Sequence, residues 1–228
     1  MDVVISWSGG KESSLVCYQA ISDGLSVLYL LNMISNKKRC MAHGLDFKLI
    51  IAQSQAIEIP IVQIQTTWNT YEREFKVALR RIKKMGIEGV VFGDISEVPG
   101  HGKWVDKVCS EVGLIPIRPL WGHDPKQVLR DFINNDFEAT VIKVKSDLLG
   151  EQWLGRSVDK RFLSDLLDFK GEINLCGELG EYHTYITDGP IFKKHIKLLK
   201  KDKILKDGYW YLDITRYELI SKKRFRKK

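Results

Sequence analysis

Short apolar runs alternate with amphipathic stretches along roughly the first 145 residues of the chain. The apolar runs are rich in β-branched residues and have the length of strands that are buried on both faces. They occupy residues 3–7, 27–33, 59–64, 89–92, 114–117 and 140–144. Apolar residues recur at helical spacing between them, at residues 13–21, 45–57, 71–85, 103–112 and 125–134. This alternation predicts a doubly wound, parallel, Rossmann-like α/β sheet.

The pattern changes beyond about residue 145. A helix is expected near residues 158–169, and β-type runs follow at residues 182–187, 196–205 and 209–220. Asp207-Gly208 joins the last two runs, and an Asp-Gly pair in that position is a strong hairpin signal. We therefore expect a first domain at residues 1–122, a smaller α+β unit at residues 123–221 and a tail at residues 222–228, with the domain boundary between residues 120 and 150.

The net charge of +7 is concentrated at one end of the chain. Residues 193–228 hold 14 Lys and Arg against 4 Asp and Glu, whereas residues 1–192 hold 22 against 25. Six of the last seven residues are cationic. A solvated tail is the ordinary interpretation of such a run, and a weak contact with RNA or an acidic partner is the alternative.

Three further features of the sequence indicate where in the cell the protein is expected. No apolar run reaches the roughly 20 residues that a membrane helix needs, so no membrane association is expected. The first residues lack the basic region and the cleavage site of a signal peptide, which predicts a cytoplasmic protein. The 4 Cys are widely spaced without a Cys-x-x-Cys pair, which implies neither a disulfide framework nor a zinc finger.

A glycine-containing turn connects the first predicted strand to the first predicted helix. It reads Ser8-Gly9-Gly10-Lys11-Glu12-Ser13. Free backbone amides at a helix N-terminus favour an anion, two glycines allow close approach, and the serines and the lysine add donors and charge. The spacing fits neither the Walker A loop nor the Gly-x-Gly-x-x-Gly loop. The turn is therefore predicted to bind phosphate, the alternative being an ordinary glycine turn before a helix.

This loop resembles the Ser-Gly-Gly-x-Asp-Ser signature of the N-type ATP pyrophosphatases, whose fold is of the HUP type. Most of residues 1–192 is similar to one branch of that group, the diphthine ammonia ligase family. The similar segments are residues 89–95, 119–122, 153–156 with Asp159, the glutamate-rich residues 176–184, and the Asp-Gly-Pro-Ile-Phe at residues 188–192. The resemblance implies an ATP-dependent ligase that adenylates a carboxylate, releases pyrophosphate and amidates the adenylate with ammonia. It further implies ATP and Mg²⁺ as cofactors, and diphthine on elongation factor 2 as the substrate.

The resemblance also implies a set of nucleotide contacts. These are Ser8, Gly9, Gly10, Lys11 and Ser13 in the loop, Leu31 and Met33 at the end of the second strand, and Gly93 and Asp94 after the fourth. Ligands of open α/β sheets collect at the carboxyl ends of strands, which agrees with these positions. Asp94 is expected to bind Mg²⁺, and a helix cap or a loop ion pair is the alternative.

The catalytic residues expected from the resemblance are Lys11, Glu178, Glu181 and His183. If residues 182–187 form a strand, Glu181 and His183 share a face, and a histidine poised near neutral pH suits removal of protons from an attacking amine. A surface ion pair at a sheet edge is the alternative.

Substrate contacts are expected from His43, Arg156 and Asp188. Arg156 either clamps a carboxylate or phosphate or tethers the two units. Cys40-x-x-His43 resembles half of a metal site without its second half.

Three positions depart from the family pattern. Glu12 stands where the loop usually has Asp, Asp94 stands where diphthine ligases usually have a small residue, and Leu179 interrupts the expected Gly-Glu-Gly-Gly-Glu run. They suggest a sister branch, and two rival functions stay open: adenylation of another acceptor such as a tRNA base, and a non-catalytic ATP-binding regulatory module of the universal-stress type. No glutaminase segment is visible, which points to free ammonia or a partner subunit. The sequence also allows a homodimer.

Overall fold

The computed structural model describes residues 1–97 and 103–222. Its first sheet contains five parallel strands in the order β3-β2-β1-β4-β5. The strands are β1 (Asp2–Ser6), β2 (Ser26–Ser35), β3 (Ile61–Thr66), β4 (Gly89–Val91) and β5 (Ile115–Ile117). The strand order reverses between β1 and β4, and this switch point is where open α/β sheets bind ligands. The loop at residues 8–13 leaves β1 at that point.

Helices cover both faces of this sheet, as its sequence pattern requires. They are α1 (Lys11–Ser22), α2 (Phe47–Ile57), α3 (Tyr71–Lys83) and α4 (Trp104–Val112). Val3 and Ile5 of β1 pack into the core that contains α1 and α2, whereas Val4 packs into the core that contains α3 and α4. This alternation follows from the two-residue period of a strand, and it confirms the doubly wound, Rossmann-like architecture.

Local caps begin several helices at the positions that the sequence favours. The Asp46 carboxylate accepts a hydrogen bond from the Lys48 amide at 2.9 Å at the start of α2. Asp159 does the same for the Phe162 amide, at 2.8 Å, at the start of α6 (Lys160–Leu167). Such caps satisfy amides that have no partner within the helix.

A second, antiparallel sheet follows α5 (Pro125–Asn134), with the strand order β7-β6-β9-β8. Its strands are β6 (Glu138–Lys145), β7 (Tyr182–Asp188), β8 (Lys194–Lys206) and β9 (Tyr209–Ser221). The placement of residues 140–144 among the strands of the parallel series was therefore wrong, because β6 pairs antiparallel with β7 and β9. A short buried apolar run has the same composition in either kind of sheet.

The predicted hairpin between β8 and β9 is confirmed. Lys206 pairs with Tyr209, and the two residues between them, Asp207 and Gly208, have φ angles of 49° and 76°. Positive φ at both central positions is what a type I′ turn requires, and its twist matches that of the flanking strands.

The two sheets share one core and are joined directly at the loop. The Gln53 side-chain amide donates to the carbonyls of Gly9, at 3.0 Å, and Ile186, at 2.9 Å. The Ile186 amide also donates to the Gly9 carbonyl at 3.2 Å. These bonds fix β7 of the second sheet beside the loop of the first. The proposed domain limits, residues 1–122 and 123–221, stay a prediction.

Within the two described ranges, no helix is both long and apolar enough to traverse a bilayer. The predicted RNA contact of the basic tail falls almost wholly on residues 223–228, which lie outside those ranges.

Candidate active site

The loop after β1 leads directly into the N-terminus of α1. Gly9 has a φ of 84°, and Gly10 is the N-cap residue of α1. The Gly10 amide donates to the Ser8 hydroxyl at 3.2 Å, and the Ser13 hydroxyl donates to the Gly10 carbonyl at 3.0 Å. In the part of the chain that the structure describes, no backbone carbonyl accepts from the amide of Gly9 or Gly10. The geometry is that of an anion site at a helix N-terminus.

Glycine is required at this loop by its surroundings. A Cβ on Gly9 would lie 2.6 Å from Cδ1 of Ile50 and 2.7 Å from Oε1 of Gln53, at a φ that side chains rarely adopt. A Cβ on Gly10 would overlap the His43 ring. The loop is thus packed tightly from behind, which fixes the direction of its amides.

A cavity of about 260 Å³ opens in front of the loop, at the switch point of the parallel sheet. It collects side chains from β1, α1, the carboxyl end of β4, the segment at residues 176–178, and β7. The predicted site residues that line it are Ser8, Lys11, Ser13, His43, Gly93, Asp94, Glu178 and His183. The structure therefore brings together residues that are up to about 175 positions apart in the sequence, as expected for a functional site of this fold.

Lys11 is the buried cation of this cavity. Its ammonium lies 2.5 Å from the Cys176 carbonyl oxygen, 2.7 Å from the Glu12 carboxylate and 4.5 Å from the centre of the Tyr182 ring. Burial alone would lower the pKa of Lys11, but Glu12, Tyr182 and Cys176 together more than offset this, and the pKa lies above its ordinary value. Lys11 is therefore charged in the cavity at any physiological pH.

Three carboxyl groups interact around the cavity: Glu12, Asp94 and Glu178. Burial raises the pKa of Glu178 to about 7, and repulsion from Glu12 and Asp94 adds to this effect, against the attraction of Lys11. Carboxylate oxygens together with phosphate oxygens are the ligands that Mg²⁺ prefers. Among the described residues these three carboxyl groups do not converge closely enough to hold a cation by themselves, so one or two of them would have to share it with phosphate oxygens and water.

Two histidines, His43 and His183, lie side by side at the wall of the cavity. Their ring centres are 4.9 Å apart, and the rings are tilted by 47°. Burial lowers the pKa of His43 to about 3, helped by the charges of Lys11 and Lys143. Burial likewise lowers the pKa of His183 well below its usual range. The expectation of a histidine poised near neutral pH was wrong for His183, because the sequence does not reveal how deeply its ring is buried.

Glu181 lies apart from His183, contrary to the expected convergence on one face. Its carboxylate accepts hydrogen bonds from the amides of Asn174, at 2.8 Å, and Leu179, at 2.9 Å. It lines a separate cavity of about 440 Å³. The strand begins only at Tyr182 and is preceded by a turn at Gly180, where φ is 84°, so strand alternation does not extend back to Glu181.

Arg156 and Asp188 also lie away from the 260 Å³ cavity. The Arg156 guanidinium is paired with Asp165 and stacks 4.5 Å from the centre of the Trp153 ring. Asp188 is paired with Lys222 and accepts from the Gly189 amide at 2.7 Å. The Arg156 side-chain contacts lie within residues 123–221, so they are neither those of a clamp in the cavity nor those of a tether between the two units.

Leu31 and Met33, expected near adenine, line a smaller cavity of about 100 Å³. It adjoins the larger one through Ser6, Ser8 and Ala42. The Leu31 carbonyl accepts from the Trp7 amide at 2.8 Å, and the Met33 carbonyl accepts from the Met41 amide at 2.9 Å. Recognition of adenine through these backbone groups stays a prediction.

Sequence reasoning missed two contributors to the loop. The Thr184 hydroxyl accepts from the Lys11 amide at 3.2 Å, and the Cys176 carbonyl accepts from the Lys11 ammonium. Both residues lie in the glutamate-rich segment at residues 176–184. The resemblance to the family singled out this segment, but it did not indicate that Cys176 and Thr184 contact Lys11.

Comparisons with known proteins agree over nearly the whole chain. Residues 1–116 match the diphthamide synthase N-terminal domain, and residues 124–220 match the diphthamide synthase C-terminal domain. A mouse protein named diphthine–ammonia ligase is 26% identical, over 97% of this chain and 94% of that protein. The human protein of the same name is 28% identical, over 86% of this chain and 82% of that protein. A Schizosaccharomyces pombe protein of that name is 27% identical over 86% of this chain, which matches 36% of that protein.

Among solved structures, a chain described as a predicted subunit of tRNA methyltransferase from Methanocaldococcus jannaschii aligns at a TM-score of 0.47 and 17% identity. The alignment covers 86% of this chain and 99% of that one.

The two domain matches together span residues 1–116 and 124–220, with the N-terminal domain first and the C-terminal domain second. The chain belongs to the diphthamide synthase family.

Proposed function

We propose that this protein is an ATP-dependent ligase that converts the carboxylate of diphthine on elongation factor 2 to an amide, with ammonia as the nitrogen donor. The observation that carries the proposal is the cavity beside residues 8–13, where the buried Lys11 meets carboxylates and histidines from both parts of the chain: Glu12, Asp94 and His43 from the first, and Glu178 and His183 from the second. Its family membership and the names of its relatives supply the substrate.

The first step that we propose is adenylation of the carboxylate. A diphthine carboxylate oxygen attacks the α phosphorus of ATP, the bond between the α phosphorus and the bridging oxygen breaks, and pyrophosphate leaves with the electron pair. We assign the stabilisation of the growing charge on the leaving group to the amides of Gly9 and Gly10 and to the Lys11 ammonium. Such preorganised donors supply a large part of enzymatic rate enhancement.

Asp94 and Glu12 are the residues that we assign to Mg²⁺, with the phosphates and water as further ligands. When bound, the ion neutralises phosphate charge and orients the phosphate chain. Glu12 is one methylene longer than the usual Asp of the loop, and its approach to Lys11, at 2.7 Å, places it at the loop side of the cavity.

The second step that we propose is displacement of AMP by ammonia. The ammonia nitrogen attacks the acyl carbon, the bond to the AMP oxygen breaks, and the nitrogen gives up a proton. Glu178 suits this proton transfer because its pKa of about 7 lies near physiological pH. His43 and His183 stay neutral and can orient ammonia by hydrogen bonding, since a neutral imidazole offers one donor and one acceptor.

The test is an incubation of the protein with ATP, ammonium and elongation factor 2 that carries diphthine. We expect AMP and pyrophosphate in equal amounts, together with the mass change of amidation on the factor. Factor without diphthine is the control and should yield neither. AMP without a modified factor would reject this acceptor and favour another, such as a tRNA base. ATP binding without pyrophosphate release would reject the enzyme in favour of a regulatory module.

A further inference from the structure

A groove of about 680 Å³ adjoins the 260 Å³ cavity and shares Ala42, Asp94 and Glu178 with it. Its far side is formed by Trp68, Tyr71 and Trp104. We call this groove, with its three rings, the aromatic groove. The steps proposed above use none of these three rings.

The three rings lie close together and come from three different elements. Trp68 begins the short 3-10 turn before α3, Tyr71 begins α3, and Trp104 begins α4. The ring centres of Trp68 and Tyr71 are 5.8 Å apart, and those of Tyr71 and Trp104 are 5.9 Å apart. The Trp68 side chain is 70% exposed, which is unusual for so large an apolar ring. Trp68 thus presents an aromatic face to a ligand, whereas Tyr71 and Trp104 are half-buried and also pack on Phe75 of the core.

The charge around the aromatic groove favours a cation. Four acidic residues line it together with the rings, Glu72, Asp94, Glu97 and Glu178, against two cationic ones, Lys103 and Arg118. Of the cations at its edge, Arg118 is paired with Asp106 at 2.8 Å and lies 4.6 Å from the centre of the Trp121 ring. The groove therefore already holds one cation against a fourth aromatic ring, and its lining carries more acidic than cationic residues.

We infer that the aromatic groove receives the trimethylammonium group of diphthine while the diphthine carboxylate enters the 260 Å³ cavity. This assignment rests on the proposed function. Diphthine carries its trimethylammonium on the carbon next to the carboxylate, so the sites for the two groups must adjoin, as the shared Asp94 and Glu178 ensure. A quaternary ammonium donates no hydrogen bond, and aromatic faces with nearby carboxylates are the environment that attracts it.

A binding comparison tests the assignment without turnover. The probes are choline and its uncharged carbon isostere, in which a tert-butyl group replaces the trimethylammonium group, and binding is followed by ligand-detected NMR. We expect choline to bind about tenfold more tightly than the isostere. Trp68→Leu and Trp104→Leu should abolish this difference, whereas Trp68→Phe and Trp104→Phe should keep most of it. Trp210→Phe, in β9, is the matched control and should behave as the wild-type protein does. Equal binding of the two probes, or an undiminished difference in both Leu variants, would overturn the assignment.

A kinetic comparison tests it on the protein substrate. With diphthine-bearing factor, Trp104→Leu should raise KM about tenfold with little change in kcat, and the Kd for ATP should stay at the wild-type value. With a factor whose corresponding amine lacks its methyl groups, wild-type protein and variant should differ much less. A raised Kd for ATP with an unchanged KM for the factor would place the nucleotide in the groove and overturn the assignment. Failure of wild-type protein to amidate the factor is a different result, which rejects the proposed function itself.

Discussion

The Lys11 ammonium lies 2.5 Å from the Cys176 carbonyl oxygen, so the C-terminal part of the chain contacts a side chain of the loop at residues 8–13. The same lysine donates its backbone amide to the Thr184 hydroxyl at 3.2 Å. The cavity is therefore built by both sheets, and neither sheet alone presents the loop, the carboxylates and the histidines together.

Lys11→Met should reduce pyrophosphate release by about 100-fold or more, because it removes the cation that faces the leaving group. The variant also leaves the Glu12 carboxylate without its 2.7 Å ion pair, which should cost about 3–5 kcal/mol of unfolding free energy. Lys11→Met with Glu12→Gln should recover stability and stay inactive. Chemical denaturation and a pyrophosphate assay measure the two effects, and full activity in either variant would contradict the role of Lys11.

Glu178→Gln should change how stability depends on pH. Because the folded-state pKa of Glu178 is raised from 4.5 to about 7, the folded protein retains a proton that the unfolded chain has lost between these values. The wild-type unfolding free energy should therefore fall relative to that of the variant as pH rises from about 4.5 to 7, and the two should run parallel above that. Denaturation curves across this range, without nucleotide or Mg²⁺, provide the measurement. A constant difference would mean that the Glu178 pKa is not raised.

Gly10→Ala should destabilise the loop by about 1–3 kcal/mol, because the new methyl group overlaps the His43 ring. Gly10 has a φ of −97°, so the effect comes from the contact and not from backbone strain. Combining Gly10→Ala with His43→Ala should cost less than the sum of the two single changes. A double-mutant cycle of unfolding free energies measures this coupling, and strict additivity would show that the two residues do not touch.

Glu181→Ala should lower stability by about 1–3 kcal/mol, because the amides of Asn174 and Leu179 lose their acceptor. The folded variant should cleave ATP at nearly the wild-type rate, since Glu181 lies outside the cavity. Glu172→Ala, at an exposed position of the same segment, is the control and should change neither property. A large loss of kcat with unchanged stability would restore the catalytic role first expected for Glu181.

Much of the fold follows from local patterns in the sequence. The alternation of buried strands and amphipathic helices predicts the parallel sheet, and Asp207-Gly208 predicts the last hairpin, because each depends on a few neighbouring residues. The antiparallel pairing of β6 does not follow, since pairing direction depends on where distant strands lie. The loop at residues 8–13 could be predicted as a candidate site because its pattern is local, and its binding of phosphate stays a prediction.

The rest of the site depends on three-dimensional surroundings that a sequence pattern does not carry. The pKa of His183 is lowered by burial. The pKa of Glu178 is raised to about 7 by burial and by the carboxylates of Glu12 and Asp94, which are far from Glu178 in the sequence. The Glu181 carboxylate is held away from His183 by hydrogen bonds from the amides of Asn174 and Leu179. The aromatic groove depends on the meeting of the first turns of α3 and α4, which lie more than 30 residues apart.

The most direct measurement is a crystal structure of the protein with Mg²⁺ and an ATP analogue that cannot be cleaved between the α and β phosphates. We expect phosphate oxygens within hydrogen-bonding distance of the Gly9 and Gly10 amides, with the α phosphorus facing Asp94 and Glu178. A nucleotide bound elsewhere, with the Gly10 amide still donating to the Ser8 hydroxyl, would contradict it.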